Sequence, residues 1–351
     1  MVLALVIVAT ASSCHPRSPL LRLRGGSAEI SASIEKSISA DNAGALQSAL
    51  EEGTIDASST TQSGNNVLHV ACKHGAIACT NALLAQKRIP VDSRRRDGVT
   101  PMMLAAQNGH LACIQRLLQA GSAVNLQQVE GSAALHYATR RGNTQCLAAL
   151  LQARNVDVNV ARVDGLTSCM IACYEGHQEC LSLLLAAKAD TRRQALEARV
   201  SALHFACNRG HAGCVAALLE AKAPPEQASQ GGATPMHACV ETGHADCLAE
   251  LLRFEADPNV RRADGSAPIH YAAVLGHDDC VAALLGANAD ANARRIDGAT
   301  PLHMAAQTGQ AGCVQQLLAH GAKPNVGFPN GRQPGTGDSR EGAAAFLSAR
   351  A

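Results

Sequence analysis

Five histidine–cysteine pairs recur at one spacing: His110-x-x-Cys113, His177-x-x-Cys180, His211-x-x-Cys214, His244-x-x-Cys247 and His277-x-x-Cys280. Cys173 and Cys207 extend two of them to C-x-x-x-H-x-x-C. Imidazole and thiolate are zinc ligands, so the chemistry this pattern offers first is metal binding. A zinc ion needs four ligands, each at about 2.0–2.3 Å. Packed helical units lie roughly 8–10 Å apart, so each unit brings two or three ligands of its own and its neighbour adds little. A metal- or ligand-binding array using the His/Cys columns is therefore the alternative reading. The first reading is structural: the thiol fills a small apolar slot and the histidine starts a helix. No metal and no cofactor is expected.

The same spacing argues against disulfides along the cysteine column, because bridging requires α-carbons within about 7 Å. A row of free thiols suits a reducing compartment. A second histidine column, at 69, 136, 204, 237, 270 and 303, carries no nucleophile and orienting acid gathered in one cleft. No glycine-rich phosphate loop, paired-carboxylate site or nucleophile motif stands out, and an enzyme is not expected.

These residues are positioned by a repeat. Cys79, Cys113, Cys146, Cys180, Cys214, Cys247, Cys280 and Cys313 follow one another at 33 or 34 residues. The segment "GVTPMMLAAQNGHLACIQRLLQAGSAVN" (98–125) returns as "GATPLHMAAQTGQAGCVQQLLAHGAKPN" (298–325), with six further copies. In the last copy Asp297-Gly298 signals a turn, Thr300 suits an N-cap, and Pro301 fits the first helical position. Gly309 stops the first helix after about two turns. "CVQQLLAHG" carries apolar residues at Cys313, Val314, Leu317 and Leu318, the stripe of a half-buried second helix. Helices this short do not persist alone, so the units must stack into a quasi-one-dimensional solenoid.

The pattern D-G-x-T-P-L-H-x-A-A-x-x-G-H, a Leu-Leu helix and G-A-D-x-N resembles the ankyrin repeat, over residues 33–326. The resemblance implies an all-α repeat solenoid of antiparallel helix pairs, with β-hairpin loops projecting from one edge. It implies units near 33–62, 63–96, 97–129, 130–163, 164–197, 198–230, 231–263, 264–296 and 297–326, the first degenerate. It also implies that the Leu-His histidine ties loops of adjacent repeats together. Met103 and Met170 replace that histidine in two units, and Ala198-Arg199 replaces the Asp-Gly turn of the sixth, marking a bend or weak point.

The resemblance further implies a non-enzymatic protein-binding scaffold or adaptor, gripping a partner through hairpin tips and the exposed first-helix face. Arg95, Arg162, Arg262 and Arg295 share one hairpin column, preceded by Arg94, Arg261 and Arg294 in three cases. Guanidinium forks suit carboxylate or phosphate, so an acidic or phosphorylated partner segment is the functional reading. Nearby Asp97, Asp164, Asp264 and Asp297 supply the alternative, a neutralised edge. Val274-Leu275, where other units carry polar pairs, offers an apolar anchor. With net charge +1, nothing recruits nucleic acid or an anionic membrane.

Residues 1–28 read as a signal-like or transit-like leader, or as a disordered start. The apolar run "MVLALVIVATA" is too short to span a bilayer. "LRLRGG" (21–26) repeats the six letters that end ubiquitin, but the twenty residues before it cannot form a core. The tail 327–351 reads as a Gly/Pro-rich linker with a capping helix.

Overall fold

The computed structural model describes residues 30–56, 59–86 and 89–324; the leader, "LRLRGG" and the tail lie outside them. The described chain forms eighteen helices of seven to nine residues, two per unit. The first pairs are α1 (Ala32–Ser39) with α2 (Ala43–Glu51), α3 (Val67–His74) with α4 (Ile77–Ala85), and α5 (Pro101–Asn108) with α6 (Leu111–Gln119). Then come α7 (Ala134–Arg140) with α8 (Thr144–Leu151), α9 (Ser168–Glu175) with α10 (Gln178–Ala186), and α11 (Ala202–Arg209) with α12 (Ala212–Glu220). The last are α13 (Pro235–Thr242) with α14 (Ala245–Arg253), α15 (Pro268–Leu275) with α16 (Asp278–Gly286), and α17 (Pro301–Thr308) with α18 (Ala311–Ala319).

Two compact units divide the chain, Met1–Ala123 and Val124–Ala351. Within each, first helices pack on first helices and second on second: α3 on α5, α9 on α11, α11 on α13, and α10 on α12. The core is therefore continuous from one pair to the next, which short helices require. The architecture is an all-α repeat solenoid.

All first helices but α7, which starts Ala133-Ala134, open on a residue suited to the task. Thr100, Thr167 and Thr300 accept the N–H three residues on, and Pro101, Pro235, Pro268 and Pro301 take the first turn. Except for α2, which Asn42 caps, the second helices have no side-chain cap. Their first-turn amides are instead reached from a preceding unit in one case: Asp41 accepts from Ala78 and Cys79 N–H at 3.1 and 2.9 Å.

The expected hairpins are shorter than strands. Among the described residues no extended strand forms, and only the isolated bridges Thr60–Asn66, Ala161–Thr167 and Gln194–Ser201 occur. Each regular hairpin is a turn closed by two main-chain bonds, as Arg262 N–H to Ser266 O and Gly265 N–H to Arg262 O, both 2.9 Å. The aspartate locks it: Asp97, Asp164, Asp264 and Asp297 each accept the amide two residues on at 3.0–3.2 Å. At the irregular sixth unit the turn is one residue longer, Ala195 N–H reaching Val200 O. There Arg199 takes φ +50° where its counterparts are glycines at positive φ, a conformation strained for a residue with a Cβ. First-helix packing continues through it, α9 on α11 and α11 on α13.

Candidate interaction surface

The histidines that could have made a metal site lie at repeat-to-repeat joints, and the cysteines lie in the core. The Leu-His column is buried: His69, His136, His204, His237, His270 and His303. In five of these the ring Nδ1 accepts the N–H of the helix N-cap, from Ala133, Ser201, Thr234, Ala267 and Thr300, at 3.0–3.3 Å. The proton then sits on Nε2, which donates across the joint: His204 to Ala233 O at 3.0 Å, His237 to Ser266 O at 3.4 Å, and His270 to Ala293 O at 3.0 Å. Desolvation holds His69, His136, His204 and His237 neutral, with pKa values down to about 4. Where Met103 replaces histidine, its sulfur still accepts the Thr100 N–H at 3.4 Å, but a thioether has no donor for the next unit.

The Gly-His column lies at second-helix starts with its rings against the preceding unit's glycine. A Cβ on Gly176 would fall 2.6 Å from His211, and one on Gly210 would fall 2.7 Å from His244. His110 and His177 also bond the Lys73 and Arg140 carbonyls at 3.0 and 3.3 Å. Their partner cysteines, Cys113 and Cys180, are in the core instead, so the H-x-x-C spacing does not converge on one point. No cluster of three or more His, Cys, Asp or Glu suited to a metal occurs among the described residues. All thirteen described cysteines are buried free thiols. Burial pushes Cys79 up to about 12 and Cys180 and Cys280 up to about 11. Cys173, deeply buried, is raised further by its contacts with Cys169 and Cys214.

The arginine column divides in two. Arg95 pairs with Asp97, and Arg162 pairs with Asp164 at 3.2 Å while its side chain is almost wholly buried. Arg262 pairs with Glu241 at 3.0 Å, and Arg295 with Asp297 at 3.5 Å and Asp264 at 3.8 Å. These four brace the turns. Arg94, Arg261 and Arg294 face outward, with Arg261 Nη1 donating to Arg294 O at 2.8 Å. Val274 is half-buried and Leu275 46% exposed at the end of α15.

Two features escaped the sequence reading. The asparagine of G-A-D-x-N is a joint: Asn259 accepts the Asp290 N–H at 2.8 Å and donates to Asn288 O at 3.3 Å, and Asn292 bonds Lys323 N and Gly321 O likewise. Second, among the described residues four of the five large apolar side chains that stand exposed share one hairpin register: Val129 (72%), Val163 (67%), Leu196 (67%) and Ile296 (78%). Counting seven or eight residues back from each Leu-His position would have found them. Successive tips are joined by main-chain bonds, Val163 N–H to Glu130 O at 3.1 Å and Leu196 N–H to Asp164 O at 2.9 Å.

Stacked helix pairs joined by histidine, asparagine and turn main chain, with their side-chain chemistry turned inward, define a helical-repeat protein. The family model for ankyrin repeats matches residues 37–128, 102–195, 190–262 and 248–327, and the chain belongs to the ankyrin-repeat family. It is 36% identical over 90 residues (25% of this chain) to a protein of Arabidopsis thaliana, XBAT31, whose name puts it forward as an E3 ubiquitin-protein ligase. It is 33% identical over 87 residues (24% of this chain) to human ankyrin repeat domain-containing protein 53. The crystal structure of the human ASB11 ankyrin repeat domain matches with TM-score 0.57 and 28% identity, covering 64% of this chain and 100% of that one. The chain spans only 20% and 16% of the two curated relatives' lengths. Ankyrin repeats are in general protein–protein interaction modules on a typically non-enzymatic fold. Among the described residues no helix is long and apolar enough to cross a membrane.

Proposed function

We propose that this chain is a non-enzymatic scaffold or adaptor that binds a partner protein along its hairpin tips and exposed first-helix face. The observation that carries the reading is the tip register itself. Val129, Val163 and Leu196 are large apolar side chains held in water on three consecutive turns. A monomer gains nothing by exposing such a row, whereas a partner that covers it gains about 25 cal/mol for each Å² of apolar area removed from water. The outward Arg94, Arg261 and Arg294 add guanidinium donors on other turns, for an acidic or phosphorylated segment. The inward arginines keep those turns rigid, which lowers the ordering cost of binding.

The test is capture of partners from cells of origin, followed by reconstitution of each identified candidate from purified proteins by calorimetry. A Val129→Ser, Val163→Ser, Leu196→Ser chain is carried in parallel. The reading predicts a stoichiometric complex weakened at least tenfold in the triple variant. It fails if no candidate reconstitutes, or if every reconstituted complex tolerates the variant.

A further inference from the structure

The chain holds three tyrosines, four phenylalanines and no tryptophan in 351 residues. All three tyrosines lie in first helices, Tyr137 in α7, Tyr174 in α9 and Tyr271 in α15, and Phe205 lies in α11. Tyr174 and Phe205, on adjacent units, meet edge to face with centroids 6.0 Å apart. The Arg209 guanidinium lies 4.3 Å from the Tyr174 ring centre, and its Nε donates to Tyr174 O at 3.5 Å. Arg140 and Arg141, at the end of α7, are exposed, as is Arg209.

The neighbouring arginine–tyrosine pair shows what is different here. Arg262 lies over Tyr271 at 5.2 Å, donates to its hydroxyl at 2.8 Å, and is neutralised by Glu241. On α7, α9 and α11 no such carboxylate is supplied. Among the described residues none of Arg140, Arg141 and Arg209 is in an ion pair, and Glu175 is the lone acid at the ends of these three helices. Tyrosine and arginine, held still by packing, are the composition of binding hot spots.

We propose that the ends of α7, α9 and α11 form a docking site for an acidic segment of a partner protein, an inference that rests on the protein-binding reading above. Arg140, Arg141 and Arg209 take the partner's carboxylates through charge-assisted bonds, while Tyr137 and Tyr174 give its apolar side chains a flat surface. The cation–π contact fixes the Arg209 fork before binding. The site lies on the first helices and is separate from the turn arginines.

The experiment titrates the full chain with poly(Glu,Tyr) copolymer, with polylysine as counter-probe, by calorimetry at physiological salt. Saturable binding of the acidic probe is expected, weakened at least tenfold by Arg140→Glu with Arg209→Glu and at least threefold by Tyr174→Ala. Arg261→Glu with Arg294→Glu is expected to change it less than twofold, and thermal melts of the charge variants should match the parent. Absent binding, preference for polylysine, or indifference to the α7/α11 variant overturns the site. So does self-association abolished by Arg209→Glu, which would make a second copy the occupant. Loss confined to the hairpin variant overturns the site while leaving the scaffold reading intact.

Discussion

The ring of His211 occupies the space a side chain on Gly176 would need, 2.6 Å from the position its Cβ would take. Gly176 also ends α9 at φ +78°. Two physical demands fall on one glycine: a left-handed backbone and room for the next unit's imidazole.

Gly176→Ala should therefore destabilise more than backbone strain alone. Gly121 supplies the comparison, with φ +85° and nothing within 4 Å of its Cβ position. Gly121→Ala should cost about 1 kcal/mol and Gly176→Ala about 2–3 kcal/mol, measured by urea unfolding. In a His211→Ala background the two should converge; a persistent gap would contradict the assignment.

The buried histidines make stability fall with acid. His69, His136, His204 and His237 have folded pKa values of about 4 against 6.5 when unfolded. Between those values the unfolded chain binds the extra protons, so stability is full above about pH 6.5 and is lost as pH drops toward 4. The urea midpoint should decline steadily from pH 7 to pH 5. A His204→Gln chain should decline less steeply. A flat profile would mean these rings are not held neutral.

Arg199 adopts φ +50° in the lengthened turn. Arg199→Gly should raise stability by about 0.5–1 kcal/mol, relief of strain outweighing the added unfolded-state entropy. A lower melting temperature would show that the arginine side chain supports the turn.

Asn259 ties Asp290 N and Asn288 O with a single amide. Asn259→Ala should cost about 1–2 kcal/mol, and native-state hydrogen exchange at the Asp290 amide should accelerate. Unchanged exchange there would remove the joint.

Much of this was legible in the chain. The cysteine period, the Thr-Pro helix starts and the terminal glycines are local signals, set by capping and backbone sterics within one unit. The arginines were legible in part: pairing with the hairpin aspartates was the alternative reading, but Arg262 is neutralised by Glu241, twenty-one residues away, a pairing only the fold creates. Asn259 carried no signal of its own, because its partners belong to the next unit. Tyr137 and Phe205 sit one position after Leu-His, where most other units carry aliphatic residues, and the Tyr174–Phe205 contact arises only when adjacent units stack. The sixth turn was flagged from Ala198-Arg199, and its strain is real, yet the stack passes through it unbroken.

The central claim is that partners are held on the turn tips and first helices. Hydrogen–deuterium exchange of the chain with and without a reconstituted partner reads this directly, unit by unit. The account predicts added protection at Val129, Val163 and Leu196 and along α7, α9 and α11, with α8, α10 and α12 unchanged. Protection confined to those second helices, or none at all in a saturated complex, would contradict it.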